Sequence, residues 1–277
     1  MTSSVAGITE SRPKGKKGTP ALLCRPNAPG SYPCVMILHE RYGLVPHTED
    51  LARKIAAQGF VVIAPDLFYD YNDIPALRAG EAFMWPSDAL VLERCEDLFP
   101  LYAGVEGADP DRFGMLGVCQ TGRYPLVWGA AHPMKAAVTL YGAAYDTDWE
   151  RTELHPDGLD GLMDKMAALK THATTLAIFG ENDFLISVPN VQRFRNALED
   201  RNLSYQITLY PNVPHGWLND TMPGRYRPDA AKEAWDEIIA FLKARLAPGA
   251  NGHTEVSWSF RSRKSIDYDF TKSVREA

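Results

Sequence analysis

Several patterns are missing from this sequence, and each gap removes a class of function. Its four cysteines, Cys24, Cys34, Cys95 and Cys119, are scattered with no C-x-x-C spacing. That argues against a metal site and gives no disulfide framework. No apolar stretch approaches the ~20 residues needed to span a bilayer, and the opening MTSSVAGITESRPKGKKG lacks the apolar core of a signal peptide. Basic residues never cluster beyond Lys14-Gly15-Lys16-Lys17, and the formal net charge is −6, so nucleic acid is not expected as a partner. The expectation left standing is a cytoplasmic protein with no membrane association, no metal and no cofactor.

What is present is a chain of 277 residues with 45% hydrophobic content, enough for one large α/β domain or two small ones. Beyond a tail expected over 1–18, strands read over 21–24 and 34–38, separated by the turn-rich RPNAPGSYP. From there strands and helices alternate. Helices read over 48–58, 74–84, 87–102, 158–170, 188–199 and 230–246, and further strands over 60–64, 113–118, 136–141, 175–179 and 204–210. Continuous apolar strands such as FVVIA imply burial on both faces. The expected fold class is therefore α/β, a mostly parallel central sheet with helices on both faces and an antiparallel start.

In such a sheet, ligands bind beyond the carboxyl ends of the strands. The residues there form a set. HERYGL, with Glu40, follows one strand; GENDF, with Asp183, follows TTLAIF; YPNVPHGW, with His215, follows YQITLY. Cys119 stands where FGMLGV gives way to a glycine and then to the helix-spaced Tyr124, Leu126, Val127 and Ala130. A free cysteine at a strand end commonly just fills the core, Asp183 can cap a turn, His215 can be an ordinary loop residue, and Glu40 can make a plain ion pair. Against those readings, nucleophile, acid and histidine occur in the chain order of a triad on an α/β-hydrolase sheet.

HERYGL, the elbow GVCQTG, GENDF and PHGW together resemble the dienelactone hydrolase family, the branch of the α/β-hydrolases with a cysteine nucleophile, over residues ~20–246. The resemblance implies an α/β-hydrolase domain, taken as 19–247. It also implies that Cys119 is the nucleophile, His215 the base, Asp183 its orienting acid and Glu40 an extra carboxylate near the thiol. The backbone amides of Gln120 and Arg41 would form the oxyanion hole. Arg78, Trp85 and Tyr141 are the expected substrate-binding residues, and the substrate a small ester or lactone.

The sequence departs from the family twice. Thr121 stands two positions after the cysteine, where the family usually has glycine. Asn219 stands four positions after the histidine, where the family has an arginine that helps hold a substrate carboxylate; Arg78 is then the remaining helix candidate, with Arg123 and Arg225 as substitutes. Two other functions stay open: an aryl-ester or acyl-thioester hydrolase with a non-anionic substrate, and a catalytically silent hydrolase that binds a small molecule or a protein. The segment 248–277 lies outside the resemblance. Val256, Trp258 and Phe260 alternate with polar residues, which suits a strand with one buried face, packed on its own domain or on the partner in a homodimer.

Overall fold

The computed structural model describes residues 7–169, 173–250 and 256–260. Nine strands form one sheet: β1 (Ile8–Ser11), β2 (Ala21–Pro26), β3 (Tyr32–Ile37), β4 (Val61–Pro65), β5 (Ala108–Val118), β6 (Ala136–Leu140), β7 (Thr174–Gly180), β8 (Tyr205–Tyr210) and β9 (Val256–Phe260). Their spatial order is β1-β2-β4-β3-β5-β6-β7-β8-β9. β1 and β2 are antiparallel to their neighbours, and every pairing from β4 to β9 is parallel.

The helices are α1 (Pro46–Ala56), α2 (Ile74–Ala79), α3 (Asp88–Leu98), α4 (Tyr124–Ala131), α5 (Gly158–Ala168), α6 (Val188–Glu199) and α7 (Pro228–Arg245). Apolar residues on the two faces of each strand feed two separate cores. In β4, Val61 and Ile63 join the side chains of α3 to α6, while Val62 and Ala64 join those of α1 and α7. Each such fully buried aliphatic side chain contributes ~1.5–3 kcal/mol of transfer free energy. Double-sided burial explains why the parallel strands read as unbroken apolar runs.

Three expectations need correction. Residues 1–18 are not all tail: Ile8–Ser11 pair with β2, and the backbone amides of Lys17 and Thr19 donate to Asp97 on α3 at 2.7 and 3.1 Å. A four-residue strand is too short to show periodicity. The helix expected over 74–84 stops at Ala79, because Gly80 takes a left-handed φ of 77° and caps it. The helix expected over 87–102 gives way at Leu98 to a 3₁₀ turn, Phe99–Gly104, where Pro100 has no N–H to continue the α pattern.

The segment expected to lie on its own domain or on a partner does the former over Val256–Phe260, which extends the sheet beside β8. Trp258 packs on the larger core, with the Arg195 guanidinium 5.2 Å from its ring centroid. Residues 251–255 and 261–277 of the segment lie outside the described residues. Among the described residues, no helix is long and apolar enough to cross a membrane.

Candidate active site

The carboxyl ends of β3, β5, β6, β7 and β8 bring the expected loops to one rim. β5 ends at Val118 and a 3₁₀ turn, Cys119–Arg123, leads into α4. Cys119 sits at the apex with φ 55°, a left-handed conformation that L-residues avoid unless the surroundings impose it. Two glycines beside it make room for the turn. A Cβ on Gly117 would collide with the carbonyl of Thr121, and one on Gly142 with the carbonyl of Cys119. The turn can therefore press against both its own strand and the loop after β6 only because those positions lack side chains.

Thr121 fits this elbow without disturbing it. Its Cβ lies fully buried, and its hydroxyl accepts from the Val118 N–H and donates to the Val118 carbonyl, both at 3.0 Å. The threonine ties the turn back to the last residue of β5. Close backbone approach around this elbow is met by Gly117, Gly122 and Gly142.

His215, in the loop after β8, bridges the elbow and the acid. Its Nε2 lies 3.1 Å from Cys119 Sγ and its Nδ1 2.8 Å from Asp183 Oδ2. Asp183, in the loop after β7, is 1% exposed, and its other oxygen accepts from the amides of Leu185 and Ile186 at 2.8 and 3.1 Å. Those two amides lock the carboxylate, and the carboxylate fixes which His215 nitrogen carries the proton. Burial alone pushes the His215 imidazole down, but the charges of Asp183 and Cys119 outweigh it and hold the group well above its ordinary value.

Glu40 lines the same cavity as Cys119. Its carboxylate accepts from Asn219 Nδ2 at 2.7 Å and from the Tyr141 hydroxyl at 3.4 Å. Asn219 is itself held by Thr221, whose amide and hydroxyl donate to its Oδ1 at 3.0 and 2.6 Å. The residue at the family's arginine position thus spends its amide on Glu40. One step earlier in the chain, His39 accepts the Leu67 N–H on Nε2 at 3.0 Å, so its proton is on Nδ1 and is donated to the Glu40 carbonyl at 2.6 Å. Burial pushes this imidazole down and keeps it neutral. The carbonyl of Glu40 and the N–H of Arg41 belong to one planar trans peptide and point in opposite directions. By gripping the former, His39 sets the direction of the latter.

The cavity at this rim encloses about 350 Å³, within the range of small-molecule sites. Cys119, His215 and Glu40 open into it, and Phe83, Trp85 and Phe184 supply aromatic wall. Trp85 stands at the mouth, 68% exposed, with its ring 4.3 Å from that of Phe83. Gln120 and Arg41 also line it.

Two of the expected substrate-binding residues do not reach this cavity. Arg78 lies in the last turn of α2, half-exposed, with its guanidinium 4.0 Å from Asp66. Tyr141 is wholly buried behind the wall, with its ring 5.1 Å from His215 and its hydroxyl on Glu40. The tyrosine that does line the cavity is Tyr145. Of the substitute arginines, Arg123 lines the wall but is held by Asp88 through two hydrogen bonds of 3.0 Å and by Asp148 at 2.7 Å. Arg225 lines the cavity beside Phe184, and the Arg41 guanidinium lies against the rings of Tyr42 and Phe83. Tyr145 and Asp148 had no strand-end signal in the sequence, whereas His39, the first residue of HERYGL, stood at a strand end and was passed over for Glu40.

Comparison with known proteins agrees with this fold. The family model described as "Dienelactone hydrolase family" matches residues 19–246. A Salmonella typhimurium protein named "Putative carboxymethylenebutenolidase" is 30% identical over 245 residues, which is 86% of each chain. A Bradyrhizobium protein named "Probable 2-oxo-3-(5-oxofuran-2-ylidene)propanoate lactonase" is 24% identical over 82% of this chain and 89% of its own. Among solved structures, a "Putative Dienelactone Hydrolase" from Klebsiella pneumoniae superposes with a TM-score of 0.72 at 28% identity, covering 85% of this chain and 98% of that one. With an α/β-hydrolase sheet, a cavity at its carboxyl rim and these similarities, the chain belongs to the dienelactone hydrolase family and is a carboxylic ester hydrolase.

Proposed function

We propose that the protein opens an enol lactone through a Cys119-His215-Asp183 triad and a thioester acyl-enzyme. The observation that carries the reading is His215, hydrogen-bonded at once to the thiol at the elbow and to the buried Asp183. Nε2 takes the thiol proton, and the sulfur attacks the lactone carbonyl carbon. The oxyanion is met by the backbone N–H of Gln120, which opens the 3₁₀ turn and so has no partner within it, and by that of Arg41, directed by His39. Each such donor is worth ~3 kcal/mol in the transition state.

Collapse of the tetrahedral intermediate breaks the carbon–oxygen bond of the ring, and the enolate leaves with the proton from His215. An enolate leaves more readily than an alkoxide, which suits a sulfur nucleophile that is itself a good leaving group. Water then gives a proton to His215 and attacks the thioester, and the thiol is restored. Glu40, held by Asn219 and Tyr141, faces the same space as a fixed negative charge. The names of the relatives describe lactones that carry a carboxylate or its chain. In this chain Arg225 and Arg41, whose guanidinium also donates to the Gly80 carbonyl at 2.7 Å, line the cavity and are the candidate cations for such a group, with Trp85 at the mouth.

A second reading, a neutral aryl ester as substrate, draws support from Asn219 and from Arg78 lying outside the wall. Steady-state rates with carboxylate-bearing lactones, neutral aryl esters and thioesters, for wild type and Cys119→Ala, separate the two. Preference for the anionic lactone, lost in Cys119→Ala, is the expected result; equal kcat/KM for charged and neutral analogues favours the aryl ester. A product burst with an activated ester, lost in Cys119→Ala, would mark the acyl-enzyme.

A further inference from the structure

His215 is not the sole polar group near the sulfur. Tyr145, in the loop after β6, has its hydroxyl oxygen 3.9 Å from Cys119 Sγ and 3.3 Å from the Tyr141 carbonyl. Sulfur is large and diffuse, and an O–H donor reaches it from farther than it reaches oxygen. One phenol proton therefore has two acceptors. A thiol competes poorly with a carbonyl for it, whereas a thiolate competes well, because hydrogen bonds to an ionised acceptor are about twice as strong.

The loop that carries Tyr145 is held from the elbow side. The Tyr145 N–H donates to Asp148 Oδ2 at 3.1 Å, and Asp148 Oδ1 accepts from Arg123 at 2.7 Å. Arg123 stands four residues after Cys119 in the same 3₁₀ turn and is anchored on α3 by its two bonds to Asp88. All three charged residues are less than a tenth exposed. The chain of contacts ties the tyrosine to the segment that positions the cysteine, so the two move as one unit.

We propose that Tyr145 is a catalytic residue, a second hydrogen-bond donor to the Cys119 sulfur, and that Arg123 acts through Asp148 as its positioning residue. The proposal rests on Cys119 being the nucleophile. In the resting enzyme the phenol O–H turns to the sulfur as the thiol proton passes to His215; when the sulfur is acylated and neutral, the O–H returns to the Tyr141 carbonyl. Its proton never leaves the oxygen. Burial first, and the neighbouring Cys119 charge second, hold the phenol well above its ordinary value, so it remains a donor through the working range.

The test reads the sulfur directly. The groups that face it from the surrounding loops are His215 with Asp183 behind it, Glu40, and Tyr141 through Glu40, and all are unchanged in Tyr145→Phe. The rate of Cys119 alkylation by iodoacetamide, followed by peptide mass, is measured against pH for wild type, Tyr145→Phe and Asp148→Asn. In Tyr145→Phe the midpoint of the profile should move up by about one pH unit, as loss of one donor to a charged group implies. Its kcat should fall about tenfold with KM within about twofold, since the donor acts on the nucleophile and not on the bound substrate. Asp148→Asn should give a smaller shift in the same direction.

A Tyr145→Phe profile superimposed on wild type overturns the proposal. A shift in Tyr145→Phe with none in Asp148→Asn removes Arg123 and Asp148 from it. Cys119→Ala with wild-type turnover would instead defeat the nucleophile assignment itself, and so the two failures are told apart.

Discussion

Thiols occupy two settings in this sheet. Cys34 lies inside β3 and Cys24 inside β2, both inaccessible, and burial pushes each up to about 12. Cys95, on the buried face of α3, is pushed up further for the same reason. Cys119 is only a few residues from the same core, yet it is partly exposed to a cavity and has an imidazole 3.1 Å away. The interior surrounds sulfur with carbon, which has no answer to a negative charge. The rim surrounds it with a donor, a base and space for a reactant. Reactivity follows from where the strand ends.

The largest effect that would sharpen this contrast is on turnover. Cys119→Ala should lower kcat by at least ~10³-fold with Tm within a few degrees of wild type, because only the nucleophile is lost. Cys95→Ala should leave kcat within about twofold and cost ~1 kcal/mol or more in unfolding free energy, because it removes packed volume and no chemistry. Rates on an activated ester and thermal melts check both. Iodoacetamide should label Cys119 well before Cys24, Cys34 and Cys95; a peptide map with one of those three first would break the comparison.

The next effect concerns charge at the rim. Arg225→Ala should raise KM for carboxylate-bearing substrates about tenfold and leave neutral analogues nearly unchanged, whereas Arg78→Ala should alter neither. Rates on matched charged and neutral esters decide it. A strong Arg78 effect would mean that the 4.0 Å approach to Asp66 is not where that side chain stays.

How much of this was legible in the sequence depends on the kind of signal. The residues of the proposed triad were legible because strand ends are marked by the end of an apolar run, and a polar residue just past each end is conspicuous. Cys119, Asp183 and His215 all met that test. Arg78 stands outside the cavity wall, on a helix of six residues too short for its facing to be read from periodicity. Tyr141 failed for a subtler reason. The loop after β6 contains two left-handed residues, Tyr141 at φ 36° and Ala143 at φ 58°, and these reverse which side chains face the cavity. Periodicity says nothing across such a loop, so Tyr145 carried no mark. The contact of Asn219 with Glu40, 179 residues apart, was likewise beyond any local pattern, and so was β1.

A smaller effect is expected in the pH dependence of stability. A histidine raised in the folded state contributes stability that is fully present below its unfolded value and is lost as pH rises through the folded one. His215 is raised chiefly because the charges of Asp183 and Cys119 overcome its burial. Wild-type Tm should therefore decline from neutral to alkaline pH, and Asp183→Asn should flatten that decline by removing the larger of the two raising contributions. Calorimetric melts at a series of pH values test it; parallel curves would mean that His215 does not carry this linkage.

The smallest effect on turnover is expected at Thr121, where the rim meets the interior. The Thr121 hydroxyl is fully engaged with both backbone groups of Val118, while the close backbone approaches around Cys119 are possible because Gly117 and Gly142 carry no side chain. Holding the turn to the strand and bending the nucleophile are thus separate tasks. Thr121→Val keeps the shape but leaves the Val118 N–H without its side-chain acceptor, a buried loss of ~1–3 kcal/mol. For a domain of this size that lowers Tm by ~2–4 °C per kcal/mol. Thr121→Ser keeps the hydroxyl and should melt close to wild type. Both variants should retain kcat within about threefold, because the two glycines still set the elbow. If Thr121→Val instead lost turnover in step with stability, the hydroxyl would be holding Cys119 itself in line, and the elbow would owe its geometry to the threonine rather than to the glycines around it.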